Sequence, residues 1–360
     1  MTDGARGLTL PRARARRGAD LLRRRPGLLL GLNLAVLAAA ALVAVAAGTV
    51  AIAPADTLGI VLHALGLPVD GSWSAAAEAI VLDLRLPRVL TAVVVGAGLG
   101  VAGAAFQGLL RNPLADPYVL GTASGAAFGA AIAVLIPVRA VILEFGLVNA
   151  LAFAGALGAV AVVWFLGRGG TLAPLTGLLL TGYAVGSLLA AGLAMTMYLS
   201  GANLRQIVGF LLGGLEGSSW LRLAVAAPLI VGGSAVIVAR ARVLDGLLLG
   251  EEAAAHLGID VRRERAIMLG LASLVTAAAV AVSGLIGFIG LVAPHAVRLL
   301  VGPSARLVVP LSAVFGAVLL VLADLGARLA GEIPVGVVTA LIGAPFFVVL
   351  LRRARLGYEL

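Results

Sequence analysis

The sequence predicts an all-α integral membrane protein of about ten transmembrane helices. Two observations carry that expectation. The chain is 61% hydrophobic and only 12% charged, with a mean hydropathy of +1.13, too little polar surface to hold 360 residues in water. The apolar residues also come in runs of about 20, the length that crosses a hydrocarbon core, separated by short arginine-bearing connectors.

The first run, near 27–53, follows Arg12, Arg14, Arg16, Arg17, Arg23, Arg24 and Arg25, and Ala44-Val45-Ala46 imitates a leader-peptidase site. The run is longer than the 7–15 apolar residues of a secretory leader, so it reads as a span. Further spans fall near 89–110, 117–136, 146–167, 174–199, 221–241, 307–328 and 333–351. The run from 266 to 302 is too long for one crossing at about 1.5 Å per residue. Gly284, Gly287 and Gly290 at its middle, with Pro294 following, predict a break there, giving two short spans and ten in all.

Parity agrees. Arg352, Arg353 and Arg355 match the basic N-terminus, and arginine concentrates on the cytoplasmic side, so both ends belong there and the count is even. The expected organisation is an Arg-rich cytoplasmic segment 1–26, one transmembrane domain 27–352 carrying a charged cytoplasmic segment 245–265, and a cytoplasmic tail 353–360. The basic start suits anionic lipid headgroups, at about 1 kcal/mol per charge.

The composition excludes several classes. The 26 basic residues are all arginine, scattered between apolar runs and not gathered on a face with aromatic residues, which speaks against nucleic acid. Without lysine the chain cannot carry the P-loop G-x-x-x-x-G-K-[ST], so any ATP-driven role needs a separate ATPase. There is no cysteine, and His63, His256 and His295 lack ligand spacing, so no metal site is expected. No nucleophile–base constellation points to catalysis either.

Gly98-Leu99-Gly100-Val101-Ala102-Gly103 fits G-x-G-x-x-G, but it lies inside a span and not after a strand, so it reads as a surface for close helix approach. Gly121, Gly125 and Gly129 read the same way in the next span. Asp324 is the main ionisable residue within a span; it is either a helix-end group, in water or paired with Arg328, or a functional charge. The scarcity of such residues argues against a proton- or sodium-coupled carrier. That ATP-independent carrier or channel is the alternative of a different class.

Asp245–Arg265, DGLLLGEEAAAHLGIDVRRER, is either a solvated connector or a docking helix for a cytoplasmic partner. Leu249, Ala253 and Leu257 would share one face beside Glu251, Glu252 and His256, with Gly246 and Gly258 at the ends. Six arginines fall on the outer side: Arg85, Arg88, Arg139, Arg205, Arg222 and Arg328. Some suit snorkelling, and a cluster of them suits an acidic partner.

The stretch LRLPRVLTAVVVGAGLGVAGAAFQGLLRNPLADPYVLGTASGAA resembles the signature region of the FecCD permease family, the membrane subunits of importers for ferric siderophores, haem and vitamin B12. GFLLGGLEGSSW, LLLGEEAAAHLGI, GLIGFIGLVAPHAVRLLVG and EIPVGVVTALIGAPFFVVLL are similar to the family's later blocks, in order, so the likeness spans nearly all of the chain from residue 28. It implies a type II ABC importer permease architecture: ten helices per subunit and a second permease subunit, identical or related. It further implies two cytoplasmic ATPase subunits that hold the ATP and Mg, and an extracytoplasmic binding protein.

On that resemblance Arg85, Arg88 and Arg328 match arginines that pair with glutamates of the binding protein. Gly250, Glu251, Glu252, Ala253, Ala254, His256, Leu257 and Gly258 match the segment coupled to the ATPase, and GEEAAAHLG also resembles the E-A-A loop of other importer permeases. The chain binds no cofactor of its own on this reading. Ferric siderophore is the expected cargo, with vitamin B12 and haem as alternatives.

Overall fold

The computed structural model describes residues 25–48, 50–69, 71, 73–136, 146–167 and 174–355. The Arg-rich start to Arg24, Arg139 and the tail beyond Arg355 lie outside the described residues. The described chain is helical: α1 Pro26–Ala46, α2 Pro54–Ala64, α3 Ala75–Leu109, α4 Thr122–Leu135, α5 Leu147–Gly167, α6 Pro174–Leu199, α7 Leu204–Leu212 and α8 Trp220–Ala239. Two short helices follow, α9 Ala241–Leu248 and α10 Glu251–His256, and then α11 Val261–Ser283, α12 Ile289–Val301, α13 Ala305–Leu329 and α14 Val335–Arg355.

Seven of these (α1, α3, α5, α6, α8, α11 and α13) are long and apolar enough to cross a membrane, and α4, α12 and α14 are shorter apolar helices, ten in all. An even number of crossings puts the start of α1 and the end of α14 on one face, here the terminal face; the other is the opposite face. Three expectations need adjusting. The first span ends at Ala46, not near residue 53, because the chain runs extended from Ala47. Helices α2 and α7 and the first turns of α3 stand where connectors were expected. Finally, 245–265 is not one helix but the end of α9, all of α10 and the start of α11, with Gly246 buried inside α9.

Helix α3 is the centre of the bundle. Of its apolar window 78% is buried, against 11% for α6, whose Tyr183 and Tyr198 stay exposed in the single chain. Ser74 caps α3 by accepting from the Ala77 N–H at 3.1 Å, with Glu78 in the first turn. Pro87 then removes a donor and crowds the carbonyl one turn back. The ladder slips to π register over Ile80–Arg85, and the Leu86 N–H reaches Val81 O.

The three glycines of the G-x-G-x-x-G stretch each admit a different neighbour. A β-carbon on Gly98 would strike the Ile230 side chain of α8. On Gly100 it would overlap the Ser312 carbonyl of α13, and on Gly103 the Gly290 carbonyl of α12. Gly96 and Gly316 meet in the same way between α3 and α13. Gly125 and Gly129 lie against the backbone of α5 at Gly155 and Leu151, whereas Gly121 (φ 80°) serves as the left-handed turn that starts α4. Lipid offers no hydrophobic drive between helices, so such backbone contact supplies the packing.

The expected break is an extended stretch from Gly284 (φ 64°) to Phe288 (φ 68°). Gly290 begins α12, pressed on Pro117, and Pro294 lies buried inside α12 and not at the break. Gly284 abuts the Phe210 carbonyl, while Gly287 has open space beside it. Unpaired backbone is costly at membrane depth, and here it is met: Leu285 N–H bonds Phe210 O at 3.2 Å, Gly214 N–H bonds Ser283 O at 2.8 Å, and Tyr118 Oη donates to Ile286 O at 2.9 Å.

Gly103→Val should separate α3 from α12 and cost roughly 1–3 kcal/mol or more, read as a lowered unfolding temperature in detergent. Gly270→Ala, at an exposed helical position with open space, should be neutral or slightly stabilising.

Candidate functional site

Three sites carry the polar chemistry. The first, at the opposite face, joins the ends of α1, α3 and α13. Arg85 donates to Val45 O at 3.0 Å and Ala46 O at 2.7 Å, and also to Val50 O. Arg328 donates to Ala44 O at 2.8 Å and Ala47 O at 3.0 Å. Two cations therefore cap the negative C-terminal end of α1. Asp324, buried, accepts from Arg88 Nε at 2.9 Å and has Arg328 Nε 3.1 Å from its second oxygen, the latter without hydrogen-bond alignment. Arg88 also reaches Glu332 at 3.2 Å.

The helix-end reading of Asp324 in water is thus corrected: it is the buried counter-ion of two arginines. Arg85 and Arg328 are buried as well, at 7% and 8% exposure, and their terminal N–H groups bond carbonyls at and just past the end of α1. Of the three expected docking arginines, Arg88 links to an exposed group, Glu332.

The second site is the α9–α10 pair at the terminal face. Gly250 (φ 120°) separates the two helices and Gly258 (φ 78°) ends α10, both conformations that favour glycine. Ala254 is buried against the bundle, while Glu251, Glu252, His256 and Gly258 are exposed. Leu249 and Leu257 flank α10, 69% and 64% exposed, with Ala253 between them. The pair is tied to the spanning helices. Arg111 (φ 48°), just past α3, gives Leu247 O two hydrogen bonds of 2.7 and 3.1 Å. Asp245 accepts from Ala305 N at 2.6 Å and Ser304 Oγ at 3.2 Å, capping α13 from outside.

Arg265 Nη2 bonds Glu251 at 2.6 Å, and that hydrogen bond, with the charge behind it, holds the Glu251 carboxyl below the usual carboxylate range. A depressed folded value means the pairing contributes fully above the ordinary carboxylate pKa of about 4.3 and is lost as pH falls through the lower folded value. Glu251 is therefore an anion at neutral pH.

The third site is a cavity of about 1160 Å³ at the opposite face, between the end of α4, the start of α5, α7, and the end of α11. Asn149, Asn203, Arg205, Gln206, Glu216, Arg222, Ser283 and Glu332 are polar residues of its lining. No local pattern announces it, because its residues come from five separated segments. No expectation attached to Gln107 or Arg111, and Asp245 entered only as the first residue of the charged segment; the fold shows what each holds. Among the described residues no three His, Asp or Glu side chains gather as metal ligands.

A ten-span bundle with a charged helix pair on one face and a polar cavity on the other is a membrane transport subunit. The chain belongs to the FecCD transport family, whose profile matches residues 36–353. It is 47% identical to the cobalamin import system permease protein BtuC of Halobacterium salinarum, over 80% of this chain and 78% of that one. It is 42% identical to the hemin transport system permease protein HmuU of Yersinia pestis, over 76% and 83%. It is 37% identical to the Fe(3+)-citrate import system permease protein YfmD of Bacillus subtilis, over 79% and 84%. Among solved structures, an inward-facing metal-chelate type ABC transporter superposes with TM-score 0.79 at 30% identity, covering 91% of this chain and 99% of that one. The chain is an ABC importer permease of this family.

Asp324→Ala should leave Arg88 and Arg328 without their shared buried counter-ion and cost about 3–5 kcal/mol. Glu332→Gln, at the exposed end, should cost about 1 kcal/mol or less. Thermal unfolding of the two purified variants checks the order.

Proposed function

We propose that this chain imports a metal tetrapyrrole, cobalamin first, as one permease of a pair driven by two separate ATPase subunits. The α9–α10 pair carries this reading. Its exposed leucines and acidic edge form a rigid knob, and α3 and α13 hold that knob through Arg111 and Asp245. A partner that moved the knob would move the two helices that run to the other face. ATP and Mg belong to that partner, whose closure on ATP would tilt the bundle between outward- and inward-open states. The permease does no covalent chemistry on its cargo.

The arginine distribution supports a cytoplasmic terminal face, which puts the cavity and the Arg88–Glu332 pair outside, where an extracytoplasmic binding protein would deliver the cargo. Arg85 and Arg328 serve that surface from beneath, by fixing the end of α1. The cargo reading moves from ferric siderophore to cobalamin on the relatives' names, since the 47%-identical relative is named for cobalamin and the iron-citrate relative stands at 37%.

Uptake of labelled cyanocobalamin, haem and ferric siderophore by cells with and without the chain names the cargo; loss of the cobalamin label alone is expected. Loss of only the siderophore label would overturn the cobalamin reading. Glu252→Arg combined with Leu257→Asp should abolish uptake with little change in unfolding temperature. Full uptake by that variant would remove α9–α10 from the coupling role.

A further inference from the structure

Helix α12 lies between the two faces and carries a defect in its own backbone. It starts after Phe288 (φ 68°) and ends at Gly302 (φ 87°), so a positive-φ residue stands at each end. Just past it, Asp245 of α9 holds the Ala305 N–H that begins α13. The extended stretch that leads into it begins at Gly284, which lines the cavity with Ser283. One end of α12 is therefore tied to the α9–α10 pair and the other to the cavity rim.

Pro294 interrupts this link. A proline inside a helix has no N–H for the carbonyl four residues back, which here is Gly290 O. Gln107 of α3, one turn beyond Gly103, supplies the missing donor: its Nε2 lies 3.3 Å from Gly290 O and 3.3 Å from Leu291 O. Its Oε1 accepts from Arg298, one turn past the proline. A single buried amide thus bonds to both sides of Pro294. An ionised glutamate could not donate there, and leucine could do neither. Among the described residues Arg298 has no carboxylate partner, so its side chain is held through Gln107.

His295, next to the proline, adds a second sign. It is 3% exposed and packs edge-on against Phe346 of α14 at 5.7 Å, yet both ring nitrogens lack a hydrogen-bond partner. Buried polar groups are ordinarily paired, so this arrangement of α12 carries a cost that a second arrangement can relieve.

We infer that Gln107 is a positioning residue that clamps α12 across Pro294, and that α12 flexes at this proline when the α9–α10 pair moves. The inference rests on the importer reading and names the link by which motion at the terminal face reaches the cavity rim. A complete helical ladder resists bending, whereas a proline gap bridged by a neighbour's side chain can hinge.

The test is a double-variant cycle in the complex purified with its ATPase subunits and binding protein. Gln107→Leu leaves Gly290 O unpaired and should lower the unfolding temperature. Adding Pro294→Ala gives α12 its own N–H and should restore most of that loss. A merely structural role would leave the cargo moved per ATP untouched. In proteoliposomes Pro294→Ala alone should instead lower that ratio several-fold while its unfolding temperature holds or rises. The probe is whichever of cyanocobalamin, hemin and ferric siderophore the parent complex takes up. A double variant that regains no stability overturns the clamp, and Pro294→Ala at the parent ratio overturns the hinge. No ATP-dependent uptake of any probe by the parent sinks the importer reading and the hinge with it, while the stability cycle still decides the clamp.

Discussion

The structure depends on how closely other helices approach the backbone of α3. Gly98, Gly100 and Gly103 turn toward α8, α13 and α12, and in each direction a side chain would occupy space already filled. In lipid, where apolar surface gains nothing by leaving its surroundings, this contact is what gathers the spans. It also explains the depth of the break after α11. Because Gly103 admits the Gly290 carbonyl, α12 can begin inside the membrane, and the extended stretch before it is sheltered by protein and bonded by Tyr118, Phe210 and Gly214.

The same helix links the two faces. At one end Arg88 engages Asp324 of α13, and Arg85 holds the carbonyls that finish α1. At the other, Gln107 donates to Gly290 O and Leu291 O at 3.3 Å and accepts from Arg298, while Arg111 grips α9. Helix α13 repeats the arrangement, with Asp324 and Arg328 at one end and the Asp245 cap at the other. Two helices thus join the α9–α10 pair to the opposite face. Rigid elements joined by hydrogen bonds at both ends can transmit a displacement, as alternating access requires.

Much of this was legible in the sequence, and the limits are physical. Span count follows from hydropathy, and the Gly284–Gly290 break from glycine spacing, because both are local. The α9–α10 segment also showed itself as a charged stretch, since charge between apolar runs is conspicuous. The state of Arg85 and Arg328 did not: position in the sequence put them at a membrane face, and only the fold shows that their terminal N–H groups bond the end of α1. The π turn before Pro87 had a visible cause but not a visible outcome. Residues such as Asp245, which caps a helix 60 positions away, carry no local signal at all.

The central claim, that the α9–α10 pair is where an ATPase drives this permease, is open to direct measurement because the chain has no cysteine. A single Leu257→Cys, treated in native membranes with a short bifunctional crosslinker that joins the thiol to lysine, should yield an adduct of this chain with an ATP-binding subunit, identified by mass spectrometry. Ala202→Cys, exposed on the opposite face, should not. Absence of the adduct at Leu257, or an equal yield from Ala202, would contradict the account.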